Sequence, residues 1–199
     1  VLRPQYRAIG YLHRGSRVRG LIREESDYLV SPKGKPYGVS DESLSQLKQL
    51  LGAEYTLPDE ISLQILTHKS FAHGRKPFNE KLAVLGGHFL KYKSAIFTMN
   101  TQGLNHIGTH ASKNLISNQT LAQFAVNHDL GDCIFWKKRD ITVRDPQKSG
   151  QWSVYARTSE AIIGAVLLQH GKEKASKFVD EVLLKGENSL LKASQGEAN

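Results

Sequence analysis

Cysteine is nearly absent. The one thiol, Cys133, excludes an internal disulfide framework and leaves no Cys-x-x-Cys pair for zinc or thiol redox chemistry, so a reducing compartment or indifference to redox is expected. Long hydrophobic runs are also missing: the longest, Ala161 to Leu168, is broken by Gly164 and falls well short of the roughly 20 residues that cross a bilayer. No membrane span is expected. Acid is in short supply, with 19 Asp and Glu against 27 Lys and Arg, giving a net charge of +8 and a pI near 9.5. Such a field attracts polyanions, of which nucleic acid is the commonest. Neither an alternating strand pattern nor a repeat of fixed period stands out, which points to an all-α core.

What is present suits one packed domain with extensions: 199 residues, 39% of them hydrophobic. Residues 1–39 read as a basic, largely irregular N-terminal extension. Arg3, Arg7, Arg14, Arg17, Arg19, Arg23, Lys33 and Lys35 outnumber its acids, and Tyr6, Tyr11, Tyr28 and Tyr37 are interleaved with them. That mixture suits lying along phosphates with rings free to stack, although a solvated arm has the same composition. The chain begins at Val1 rather than at methionine, which is compatible with removal of a targeting segment.

Helical patterning then takes over. Ser40 is set to cap a helix whose stripe is Leu44, Leu47, Leu50 and Leu51, with Gly52 as its stop. Pro58, Asp59 and Glu60 open a second, with Ile61, Ile65 and Leu66 inward. Asn79 is expected to cap a long helix to about Met99, buried through Leu82, Leu85, Phe89, Ile96 and Phe97. A helix or helix pair follows around 109–130. Cys133 to Gln151 reads as a polar loop, Trp152 to Gln169 as a helix ended by His170 and Gly171, and Ala175 to Leu183 as the last helix. The helical domain is thus placed at 40–185, with 186–199 a polar tail.

Four stretches carry a resemblance. Leu66-Thr67-His68-Lys69-Ser70-Phe71 and Asn79-Glu80-Lys81-Leu82-Ala83-Val84-Leu85-Gly86-Gly87 resemble the LTHRSY and NERLEFLGD blocks of the RNase III endonuclease domain. Lys113 to Asn118 with Leu121-Ala122, and Ser159 to Val166, resemble two further blocks of that family in the same order. The resemblance implies an RNase III-like helical fold, a tendency to dimerise, and in active members two Mg²⁺ ions held by carboxylates on two helices. Residues three and seven apart share a helix face, which is how one helix can present several acids.

This chain departs from that pattern. Glu80 and Glu160 match the first and last acids, but Ala83 and Gly87 stand at the second and third, and Arg157 at the aspartate of the second helix. At about 4 Å two unit charges interact by about 4 kcal/mol near a protein surface, so Arg157 opposes a metal there. Arg157 is expected to pair with Glu160 or Glu80 instead. Catalytic residues, metal and cofactor are therefore expected to be none, and the five positions to be vestigial.

Within the family, the closest resemblance is to inert members of the mitochondrial large ribosomal subunit, in particular fungal ones without an appended double-stranded-RNA-binding domain. That implies mitochondrial localisation, contact with ribosomal RNA and neighbouring ribosomal proteins, and a heterodimer with a second RNase III-like subunit. Lys137, Lys138 and Arg139 beside Trp136 form a second basic and aromatic cluster, assigned with the arm to RNA. His106 and His110 have zinc-like spacing, but Gly108 lies between them and no further ligand is obvious. His68 is expected to hold a loop through hydrogen bonds. The competing readings are an active endonuclease that borrows acids from a partner or from Asp129, Asp132 or Asp140, and a non-ribosomal RNA-processing cofactor.

Overall fold

The structure, a computed structural model, describes residues 29–138, 142–185 and 189–195. Its regular elements are helical, and the two β-bridges among the described residues are isolated. Helix α1, Asp41–Leu51, begins with a reciprocal cap in which the backbone N–H of Ser43 donates to Ser40 Oγ at 3.1 Å and that of Ser40 donates to Ser43 Oγ at 3.2 Å. It buries Leu44, Leu47 and Leu51 and stops at Gly52, whose φ of 60° favours glycine. Helix α2, Asp59–Ile65, follows Pro58 and buries Leu63 and Ile65.

The long helix α3 spans Glu80–Gln102, α4 His110–Asn114, α5 Asn118–Asn127, and α6 Gln151–Phe178. A π-helical turn, Val179–Leu184, leads towards a short α7, Leu190–Gln195. Helix α6 is the axis: α3 packs along one side of it and α5 along another. Phe124, Phe135, Phe178, Leu90, Leu121 and Ile162 are among the largest fully buried side chains around it. Burying each such side chain gains about 1.5–3 kcal/mol before conformational entropy is charged.

The α3–α6 crossing explains why the apolar stripe expected on α3 is only partly its buried face. Leu82 is buried as expected, but Leu85, Phe89, Ile96 and Phe97 are half-buried, while Ala83, Gly86, Gly87, Leu90, Lys93 and Ser94 are enclosed. Small residues face α6 because the two backbones touch. A Cβ at Gly86 would meet the Glu160 carbonyl carbon at 2.9 Å and the Gly164 nitrogen at 2.6 Å, and one at Gly164 would meet the Leu82 carbonyl carbon at 2.9 Å. Lys93, drawn inside by this geometry, is neutralised by Asp180 at 2.7 Å.

Several other expectations are corrected. Asn79 stands before α3 but makes no side-chain cap; its Nδ2 donates to the Ile65 carbonyl at 2.9 Å, tying α3 to the end of α2. The helix also continues to Gln102, past Met99. The segment after Cys133 is a loop with a buried start, Cys133 to Trp136, because Phe135 bridges to Thr67 and donates its N–H to the Leu66 carbonyl at 2.8 Å. Helix α6 runs through Gly171, whose φ of 82° and ψ of 174° mark the expected break. The tail is not wholly polar: Leu190 of α7 is buried in the core.

Candidate site at the crossing of two helices

The touching backbones of α3 and α6 bring Glu160 against Gly87, two of the positions that the resemblance marks as acidic. Glu160 reaches across to Gly87, where a Cβ would lie 2.8 Å from its Oε1 and 3.1 Å from its Cδ. Ala83 is fully buried and offers no polar atom. Glu80, at the exposed start of α3, accepts a hydrogen bond from Lys69 Nζ at 2.7 Å. That bond and the charge behind it lower the Glu80 pKa below the ordinary carboxylate value. Glu160 accepts from Arg157 Nη1 at 3.1 Å, so Arg157 pairs with Glu160, and Glu80 with Lys69.

Glu160 is perturbed the other way. Burial raises its pKa, and the charge and hydrogen bond of Arg157, then the charges of Lys91 and His88, only partly oppose that rise. Its side chain is 15% exposed, against 49% for Arg157.

The family chemistry calls for divalent ions at this place. Among the described residues no three His, Cys, Asp or Glu side chains converge as a metal site would require. Glu80 and Glu160 each hold a cationic side chain, which an ion would have to displace. This donor set does not fit a two-metal centre. His106 and His110 do not rescue it, since Gly108, with a φ of 82°, separates the turn of the first from the helix of the second.

His68 fastens the neighbouring loop, as expected. The Ser70 N–H donates to His68 Nδ1 at 3.2 Å, and the Lys137 N–H donates to Ser70 Oγ at 3.0 Å. With Nδ1 accepting, the ring is neutral, and burial followed by the Lys69 charge lowers its pKa.

The residues assigned to RNA are divided. Arg3, Arg7, Arg14, Arg17, Arg19, Arg23 and Arg139 lie outside the described residues. Lys33 pairs with Asp132 at 3.3 Å, and Lys33 and Lys138 line one cleft of about 560 Å³ together with Trp136, Tyr155 and Asp129. Lys35 is half-buried and Lys137 is exposed on the His68 side. Two rings expected to stack on bases are not free to do so. Tyr37 packs between Phe71 and Phe135, with centroids 5.2 Å away in both cases, and Trp136 is buried. Lys69 was missed as the partner of Glu80; its place in the His68-Lys69-Ser70 loop was the available signal, but its reach to α3 is a tertiary fact.

The family model described as Ribonuclease-III-like matches residues 58–186. The chain belongs to this family. Its ribonuclease-III-like relatives include Ribonuclease 3 of Pseudomonas syringae pv. tomato, 35% identical over 69% of this chain and 58% of the relative. Large ribosomal subunit protein mL57 of Neurospora crassa is 28% identical over 67% of this chain and 57% of its own length. The match thus spans less than two thirds of these curated relatives. Two solved structures of the nuclease domain of ribonuclease III from Campylobacter jejuni share the fold. One has a TM-score of 0.55 at 23% identity, covering 77% of this chain and 95% of that one; the other has a TM-score of 0.52 at 25% identity, covering 68% and 92%.

Proposed function

We propose that this chain is a structural, non-cleaving member of the ribonuclease-III-like family, seated in the mitochondrial large ribosomal subunit, where it binds ribosomal RNA and neighbouring ribosomal proteins. The observation that carries this reading is the state of the α3–α6 crossing. Ala83 and Gly87 supply no ligand, and Lys69 and Arg157 occupy the carboxylates of Glu80 and Glu160. The likeness to mL57 supports the ribosomal setting. In this reading the arm, residues 1–39, supplies phosphate contacts, the helical body at 40–185 is a docking scaffold, and 186–199 is an appendage.

The scaffold pairs with a second RNase III-like subunit through α3. Leu85, Phe89, Tyr92, Ile96 and Met99 recur along one face of that helix, with Tyr92 49% and Met99 42% exposed, and Val84 beside them is 48% exposed. Apolar residues at that spacing form a seam that a second helix can cover. One of the Campylobacter jejuni structures is described as showing structural flexibility in a region involved in dimer formation, which supports pairing as a habit of the fold.

Incubation with double-stranded RNA and Mg²⁺ tests the reading, alone and with the partner recovered from ribosomal fractions. Intact RNA and co-sedimentation with large subunits are expected. Cleavage that disappears when Glu80 and Glu160 are changed would overturn it in favour of the endonuclease, the reading that the name Ribonuclease 3 among the relatives supports. Inert protein that sediments apart from ribosomal particles would point to the processing cofactor.

A further inference from the structure

The apolar stripe along α3 has a border, and its charges share one sign. Phe89 and Tyr92 are neighbours on the stripe, with ring centroids 6.3 Å apart, and Tyr92 is half exposed. Lys172 Nζ stands over the Tyr92 ring, 5.8 Å from its centroid. This lysine follows the break at Gly171, so a cation from α6 edges the ring at the middle of the stripe. On α3 itself, Lys81 lies one turn before Leu85 and Lys91 two turns after the exposed Val84, which puts both on the outward side of the helix.

No carboxylate answers these lysines. From Lys81 to Gln102 the helix has no Asp or Glu, and the acids around it are already taken: Glu80 by Lys69, Glu160 by Arg157 and Asp180 by Lys93. Lys81, Lys91 and Lys172 are exposed, and none is in an ion pair among the described residues, although Lys91 acts on Glu160 at longer range. Glu173, next to Lys172 in sequence, is the one adjoining acid that no ion pair holds among the described residues. In a two-fold pairing of identical chains a patch meets itself, so this border would face a second border of cations. Like charges at the margin of an apolar seam repel more strongly than in open water. A border of Asp and Glu on the other helix turns the same contacts into attraction.

We propose that the α3 seam rejects a second copy of this chain and takes a partner helix whose apolar stripe is bordered by carboxylates, which meet Lys81, Lys91 and Lys172. This rests on the pairing through α3 given above and not on the ribosomal setting. The rings supply the adhesion and the border supplies the choice of partner.

An acid-bordered partner can be made from the chain itself. Combining Lys81→Glu, Lys91→Glu and Lys172→Glu keeps the stripe and reverses its border at exposed positions. Sedimentation equilibrium is then measured for the wild-type chain, for this variant and for their mixture. The mixed pair is expected at about tenfold lower concentration than either self-pair. That advantage should vanish between about 0.01 M and about 1 M salt, as the screening length falls from about 30 Å to about 3 Å. Wild-type self-pairing as tight as the mixed pair, or no mixed pair, overturns the proposal. If the triple variant does not fold, the wild-type chain decides alone: its self-association should strengthen across that salt range, and association that stays level or weakens overturns the proposal. Tyr92→Ala in both chains separates the two readings. A mixed pair that survives it lies away from α3 and refutes both, whereas pairing that Tyr92→Ala abolishes but that shows no preference for the mixed pair refutes the charge selection alone.

Discussion

Arg157 and Glu160 lie one turn apart on α6 and are joined by a 3.1 Å hydrogen bond, so the carboxylate nearest Gly87 is held by its own helix. Burial raises the Glu160 pKa above the ordinary 4.5 and Arg157 opposes the rise, so Arg157→Ala should raise it further. The sign follows from linkage. A carboxyl with a raised folded pKa binds its proton more tightly in the native state, so stability falls as pH climbs from the unfolded value through the folded one. Arg157→Ala should therefore lose about 1 kcal/mol or less at neutral pH, a figure discounted because the guanidinium is half exposed, and nothing where Glu160 is protonated in both proteins. Urea denaturation across that range measures it; equal loss at every pH would mean that the pair does not matter.

Gly86→Ala should be costly. Its new Cβ would strike backbone atoms of Glu160 and Gly164, which cannot swing aside as a side chain tip can. Overpacking of this kind costs about 1–3 kcal/mol. Gly164→Ala should behave alike, whereas a Cβ at Gly38 meets nothing and Gly38→Ala should be near neutral. Wild-type denaturation midpoints for Gly86→Ala would show that the helices are further apart.

If the crossing is inert as proposed, introducing acids should introduce a metal response. The triple variant Ala83→Glu, Gly87→Asp, Arg157→Asp concentrates negative charge around Glu160, so it should be less stable than the parent without divalent ions. Millimolar Mg²⁺ should raise its melting temperature, since a ligand at about 100 times its Kd adds about 2.7 kcal/mol. The parent should not respond. A parent stabilised by Mg²⁺ in a manner abolished by Glu160→Gln would contradict the reading of the crossing.

Tyr92→Asp tests the seam. Tyr92 is 49% exposed, so the isolated fold should tolerate the change, while a charge placed in a covered apolar interface should weaken association at least tenfold. Sedimentation of the chain with the second RNase III-like subunit proposed above checks this. Unaltered association would move the interface elsewhere.

RNA affinity should fall steeply with salt. Each phosphate neutralised contributes roughly 0.7–0.9 to the slope of log K against log salt. Removing residues 1–28, which carry Arg3, Arg7, Arg14, Arg17, Arg19 and Arg23, should flatten that slope by several units of contact. An unchanged slope would leave the arm without an RNA role.

Much of the fold is written locally. Capping, helical period and glycine stops depend on neighbours a few residues apart, so α1, α2, the α4–α5 pair and the break at Gly171 could be read from the chain. The ordered motif blocks carried the family for the same reason. The buried start of the 133–151 loop could not be read this way, because Phe135 is enclosed only by virtue of bridging to Thr67.

The sequence alone determined which groups are absent at positions 83, 87 and 157, since side-chain chemistry needs no coordinates. Tertiary structure decided where the remaining charges go. It took Glu80 to Lys69 and Lys93 to Asp180, left Arg157 with its helical neighbour Glu160, and turned Tyr37 and Trp136 inward. The physical reason is that pairing and burial between segments far apart in the chain depend on distances that only the packed fold sets, the close approach of α3 and α6 at Gly86 and Gly164 among them.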